Sequence, residues 1–131
     1  MKKAIWIVLI LLLISGCRYS PSDEDIVDNQ AVITNLEKFM KFVENVNQGK
    51  EDKIRVVRYT DEGDALLHDL EYDGEIITST TDTTRDEFGD GIVSTASCKS
   101  IDIKETDERM DYTLSGCDQT NRNNSVLVIL K

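Results

Sequence analysis

Apolar residues crowd into the two ends of this chain and are spaced out between them. Ala4 to Ile14 is an unbroken apolar run of eleven residues. A polar stretch follows, with Ser20, Ser22, Asp23, Glu24 and Asp25 in close succession. It has little to bury, so 18–29 reads as a tether, with Ile26 and Val27 as the first residues able to dock. Leu36, Phe39, Met40, Val43 and Val46 then recur at spacings of three and four, which predicts one helix over 34–48 with a single apolar stripe. Thr34 and Glu37 have the spacing of a capping box, in which the hydroxyl accepts from the N3 amide and the carboxylate reaches back. Gly49 is a natural stop.

Beyond Gly49 the period changes from helical to alternating. Ile54–Thr60 is rich in β-branched residues, and Asp61–Asp64 reads as a turn. Leu66, His68, Leu70 and Tyr72 fall on one face of the next strand. Asp73-Gly74 is a strong hairpin signal; a two-residue turn there sets Leu70 opposite Ile77 and His68 opposite Ser79. The third strand runs from Glu75 to about Thr81, and 82–91 is a loop. A fourth strand over 92–103 and a fifth over 110–117 would share a turn near Asp107-Glu108. Val126–Leu130 makes a final apolar strand. This pattern predicts an α+β fold, with one N-terminal helix packed on an antiparallel meander of five to six strands. The domain reading is a cleaved segment 1–16, an N-terminus and tether 17–30, and a single domain 31–131.

The first apolar run has the form of an export signal: Lys2 and Lys3 ahead of it, small residues behind it. As a helix it would span about 16 Å, against roughly 30 Å of bilayer hydrocarbon, so it is short for a permanent span. Ile14-Ser15-Gly16-Cys17 resembles the lipobox of bacterial lipoproteins. That resemblance implies a diacylglyceryl group on the Cys17 thiol and cleavage between Gly16 and Cys17. Ile14 departs from the commoner leucine. Two acyl chains suffice for stable anchoring where one is marginal. The alternative is an ordinary secreted protein in which Cys17 is incidental. The expected location is the extracytoplasmic face of the cell membrane.

The formal charge is −10, and loss of Lys2 and Lys3 would lower it by two more. Such a surface lacks the cations that phosphate contacts need, which argues against nucleic acid as a partner. It would also be repelled by anionic lipid heads, so a lipid tether would hold a domain that stands off the membrane. A basic envelope protein or peptide would suit the charge. With Cys17 used, Cys98 and Cys117 remain, and outside the cytoplasm an even count invites a disulfide. It would close a loop of about 20 residues, worth roughly 3 kcal/mol. The hairpin that places Ile101 opposite Leu114 and Ile103 opposite Tyr112 also places Cys98 opposite Cys117. In a regular ladder the bridge would then lie on the face away from those apolar pairs. Two free buried thiols are the other reading; a redox pair is disfavoured because no Cys-x-x-Cys is present.

Catalytic chemistry has little to stand on. His68 is the single histidine, and its phase with Leu66 and Leu70 suits a structural role better than a general base. No Gly-x-Ser-x-Gly elbow, Walker loop or dinucleotide fingerprint occurs, and no cofactor is expected. The 82–90 loop carries Asp82, Asp86, Glu87 and Asp90. These are the calcium candidates, although their spacing is not that of an EF-hand. Arg85 supplies a counter-charge within the loop.

From Asn35 onward, Phe42–Val46, Gly49–Arg55, Arg58–Asp64, Asp69–Gly74, Asp82–Asp86 with Phe88-Gly89, Cys98-Lys99 and Gly116-Cys117 resemble small Gram-positive lipoproteins carrying domain of unknown function 4362. The resemblance implies a surface lipoprotein and transfers no catalytic residue. The leading expectation is a non-enzymatic, membrane-anchored binding or interaction module. The alternatives are a small envelope enzyme using Asp82 and Asp86 as acid and base, and an accessory subunit of an envelope complex.

Overall fold

The computed structural model describes residues 18–30, 32–119 and 124–131. The apolar leader, Gly16 and Cys17 lie outside the described residues. Within them the chain forms β1 (Ile26–Asp28), β2 (Ile33–Thr34), α1 (Leu36–Asn47), β3 (Asp52–Tyr59), β4 (Ala65–Tyr72), β5 (Ile77–Asp82), β6 (Val93–Cys98), β7 (Ser100–Glu105), β8 (Arg109–Ser115) and β9 (Ser125–Leu130). The first sheet has the order β2-β1-β3-β4-β5-β6, and the second β7-β8-β9. The α+β expectation is therefore corrected. The fold is mostly β, in two sheets, and its one described helix is internal, preceded by two strands.

Two features hid this from the pattern. The stretch read as a tether contains β1, which pairs in parallel with β3, Ile26 beside Val56. Ile26 is fully buried, but its polar neighbours mask it. The predicted fourth strand also breaks at Lys99, where the chain leaves β6 in one sheet and enters β7 in the other.

One core fills the space between the sheets and the helix. Ile26, Val56, Leu70, Tyr72 and Ile77 come from the first sheet, Tyr112, Leu114, Val126 and Leu127 from the second, and Phe39, Phe42 and Val43 from α1. Phe39 meets Tyr112 edge-on at 4.9 Å between ring centres. Such a contact adds to area burial because the positive ring edge meets the negative ring face. Phe42, outside the predicted stripe, is buried, whereas Met40 is 43% exposed. Adjacent Val126 and Leu127 both point inward because the β8–β9 ladder shifts by one residue between Tyr112 and Thr113. A bulge of this kind lets two neighbours share a face.

The helix ends bear out one expectation and correct another. Gly49 sits at φ 70°, its amide donating to Val46 O and that of Lys50 to Asn45 O. That is the Schellman pattern, which needs a left-handed residue here. At the other end the capping box is absent. Thr34 belongs to β2, and Asn35, at φ 58°, is the N-cap with no side-chain cap bond. Its Nδ2 instead donates to the carbonyls of Asp23 and Asp25, both at 2.8 Å, so the helix start is stitched to the segment ahead of β1.

The β4–β5 hairpin also differs from expectation. Tyr72 pairs with Ile77, Leu70 with Ser79 and His68 with Thr81. The loop spans 73–76, because the Asp73 carboxylate accepts the amides of both Glu75 and Ile76 at 2.8 Å, with Gly74 at φ 101°. The shift is two residues, so every side chain keeps its face. In β7–β8 the expected pairs form: Ile101 with Leu114 and Ile103 with Tyr112.

Candidate functional site

Cys98 and Cys117 are joined by a disulfide. Cys98 is fully buried in the main core beside Leu114 and Tyr112, with Cys117 packed against it. The expected conflict of faces does not arise. The change of sheet at Lys99 turns Cys98 inward on the first sheet while Ile101 faces inward on the second. The exposed edge of β6 is covered just beyond the bridge, where Asp118 exchanges hydrogen bonds with Ser97 and Gln119 donates to Thr95 O.

The most developed polar cluster lies on the outer face of the first sheet, around Tyr19. Arg55 and Asp69 are directly opposed on β3 and β4, and the guanidinium grips the carboxylate through two bonds of 2.6 and 2.8 Å. This forked geometry is the strong form of an ion pair. Arg55 also donates to the Tyr19 hydroxyl at 3.3 Å, and the Tyr19 hydroxyl donates to Asp25 Oδ2 at 2.5 Å. Asp25 is buried and also accepts the Ser22 amide. The Arg85 guanidinium stands 5.2 Å from the Tyr19 ring centre, within reach of a cation–π attraction. Burial, then the bond to Asp25, raises the Tyr19 pKa above the ordinary phenol value. Beneath the ring, Val57, Ala65 and Leu67 form a second apolar cluster that Tyr19 helps to cover. None of this is expected of a tether; a tyrosine and an Asp–Ile pair flanking a polar run are its only signals in the sequence.

Two clefts flank this cluster. Of β3, only Val56–Arg58 pair with β1, so its first half, Asp52–Arg55, has no strand on that side among the described residues. A cleft of about 650 Å³ opens there, with Lys38 and Lys41 from α1 and Asp25 on its rim. The second, about 530 Å³, lies beyond Tyr19 between the β3–β4 turn and the loop after β5, bordered by Arg18, Glu62 and Arg85.

His68 lies on the core face of β4. Its Nε2 is 2.7 Å from Ser79 Oγ, a diagonal contact across the β4–β5 ladder, and Ser79 is itself buried. Burial, then the nearby Arg58 charge, pushes the imidazole pKa down to about 4. Arg58 is mostly buried too. It sits 3.5 Å from Asp28 and donates to Val126 O, tying the two sheets together.

The Asp82 and Asp86 carboxylates are engaged in shaping the loop. Asp82 accepts from the Thr84 amide and hydroxyl at 2.9 and 2.6 Å and pairs with Arg85 at 3.1 Å. Its pKa is lowered, chiefly by the Thr84 side-chain bond. Asp86 accepts the Phe88 amide, and the Glu87 amide donates to Asp64. Asp90 is exposed. Among the described residues no three His, Cys, Asp or Glu side chains converge to hold a metal ion, so Asp82, Asp86, Glu87 and Asp90 are not brought together as a calcium site. No helix among the described residues is long and apolar enough to cross a membrane.

These features define a small two-sheet domain, bridged by one disulfide, with its N-terminal segment clamped to the outer sheet face. Residues 23–113 match the family described as Domain of unknown function (DUF4362), and the chain belongs to that family. No curated protein and no solved structure matches it.

Proposed function

We propose that this chain is a lipoprotein anchored through Cys17 on the outer face of the cell membrane, and that its domain is a non-enzymatic binding module. The observation that carries the anchor is the Ile14–Cys17 sequence closing an eleven-residue apolar run. The disulfide supports the compartment, since such bridges persist outside the reducing cytoplasm. The open half of β3 supports the binding role. An extended peptide can add to an unpaired strand edge, its main chain giving affinity and alternate side chains specificity. The ligand class is an extended peptide of mixed or basic charge, matching a cleft rim that holds Asp25, Asp52 and Glu71 beside Lys38 and Lys41 and a chain of net charge −10.

The test is site-specific photocrosslinking on intact cells. A photoreactive residue at Lys53, in the cleft, should give a discrete adduct that an excess of the partner's own peptide removes. The same residue at Lys104, exposed on β7, should not. Equal labelling from both positions would refute the cleft as the binding site.

A further inference from the structure

The geometry points to a fixed orientation of the domain on the membrane, with the loop after β5 laid against the lipid surface through Phe88. This rests on the Cys17 anchor proposed above. Cys17 and Tyr19 are two residues apart, so their Cα atoms are separated by about 7 Å at most. Tyr19 is not free to move away from the sheet. Its hydroxyl is bonded to buried Asp25 and its ring lies beside the Arg55 and Arg85 guanidinium groups. A lipid on Cys17 therefore cannot hold this domain off on a long leash. Whatever surrounds Tyr19 faces the bilayer.

What surrounds it is the outer face of the first sheet near its β3–β4 turn. Arg18 reaches over Gly63 in the β3–β4 turn, its Nη2 3.5 Å from where a Cβ on that glycine would stand. The 83–92 loop is attached to the same turn, the Glu87 amide donating to Asp64 at 3.1 Å. Next to Glu87, Phe88 is 76% exposed, the most exposed of the large apolar side chains among the described residues, and Ile92 and Val93 are also exposed. A phenylalanine held open to water on a loop fastened to the same turn as Arg18 has an apolar phase within reach once Cys17 carries lipid. The same end carries Asp61, Glu62, Asp86, Glu87 and Asp90, which anionic headgroups repel. The contact is accordingly shallow, and stronger on zwitterionic than on anionic lipid at low salt.

The reporter is built into the composition. The one tryptophan, Trp6, lies in the segment that processing would remove, so the mature protein is a dark background for tryptophan fluorescence. Lipidated protein carrying Phe88→Trp would be reconstituted into phosphatidylcholine vesicles with brominated acyl chains. Ile92→Trp is a second reporter on the same loop. Glu75→Trp is the control; it is exposed in the β4–β5 loop at the far end of β4, about 25 Å away along an eight-residue strand.

Quenching at positions 88 and 92 but not 75 is the expected result, weakened by adding phosphatidylglycerol and reduced when Tyr19→Ala releases the clamp. Protein that stays on the vesicles with no quenching at 88 or 92, or with equal quenching at all three positions, would overturn the orientation while leaving the anchor intact. Protein that does not sediment with the vesicles would strike the anchor itself, and the orientation with it.

Discussion

The Tyr19 hydroxyl donates to Asp25 Oδ2 across 2.5 Å, and this bond fastens the chain ahead of the helix to the domain. Asp25 is followed by Ile26, which is fully buried in the main core. The pair makes a polar latch beside an apolar plug. Tyr19→Phe removes the bond to Asp25 and the weaker one accepted from Arg55 and leaves a buried carboxylate short of a donor, so it should cost about 1–2 kcal/mol. Ile26→Ala should cost about 2–4 kcal/mol, as large-to-small core changes do. Urea denaturation of the disulfide-intact protein measures both. Two variants as stable as the parent would mean that 18–28 is a loose tether after all.

His68 makes stability fall in mild acid. Its imidazole is held neutral, with a pKa near 4 against about 6.5 when unfolded. Between those values the unfolded chain binds more protons, so stability rises with pH and is lost as pH drops below about 6.5. The loss should reach about 3 kcal/mol by pH 4. His68→Gln keeps a polar group near Ser79 and removes the titration, so its denaturation midpoint should be flat from pH 7 to pH 5. Parallel pH curves for the two proteins would remove His68 as the cause. The carboxylates with lowered pKa, Asp73, Asp82, Glu44 and Glu105, lose their contribution only as pH falls through and below their ordinary range, so they leave the interval from pH 7 to pH 5 clear.

The Cys98–Cys117 bridge spans 19 positions of sequence. Replacing both cysteines by alanine should cost about 2–4 kcal/mol, largely by freeing the unfolded chain. Because both sulfurs are held in the bridge, thiol reagents should leave the protein unlabelled when native and when denatured without reduction, and label these two cysteines only after denaturation and reduction. Prompt labelling of native, unreduced protein at these positions would show free thiols.

Much of the second sheet was legible because two signals agreed on one answer. Ile101, Ile103, Tyr112 and Leu114 alternate at the spacing that also brings Cys98 to Cys117, and the structure keeps that arrangement. The helix was legible from its stripe and from Gly49. The hairpin at Asp73-Gly74 was found with its register off by two, because Asp73 accepts two amides and widens the turn, a local bond that period alone does not reveal. β1 was missed for a different reason. A three-residue strand with one buried isoleucine has no period, and its stability comes from partners far along the chain, Val56, Val57 and Arg58. The fold class was misjudged for these same reasons, since an early strand was read as a tether and two strands in different sheets as one. The loop acids Asp82 and Asp86 drew attention by density, yet their oxygens serve Thr84, Arg85 and Phe88. The Tyr19 cluster forms only once the chain is folded, because its members come from positions 19, 25, 55, 69 and 85.

The most direct measurement is the intact mass of the protein extracted from membranes, without reduction. Lipidation at Cys17 and the disulfide together give a chain beginning at Cys17, carrying the diacylglyceryl mass and lacking two hydrogens. An unmodified chain, whether it retains residues 1–16 or is cut elsewhere, would contradict the anchor on which the proposed function rests.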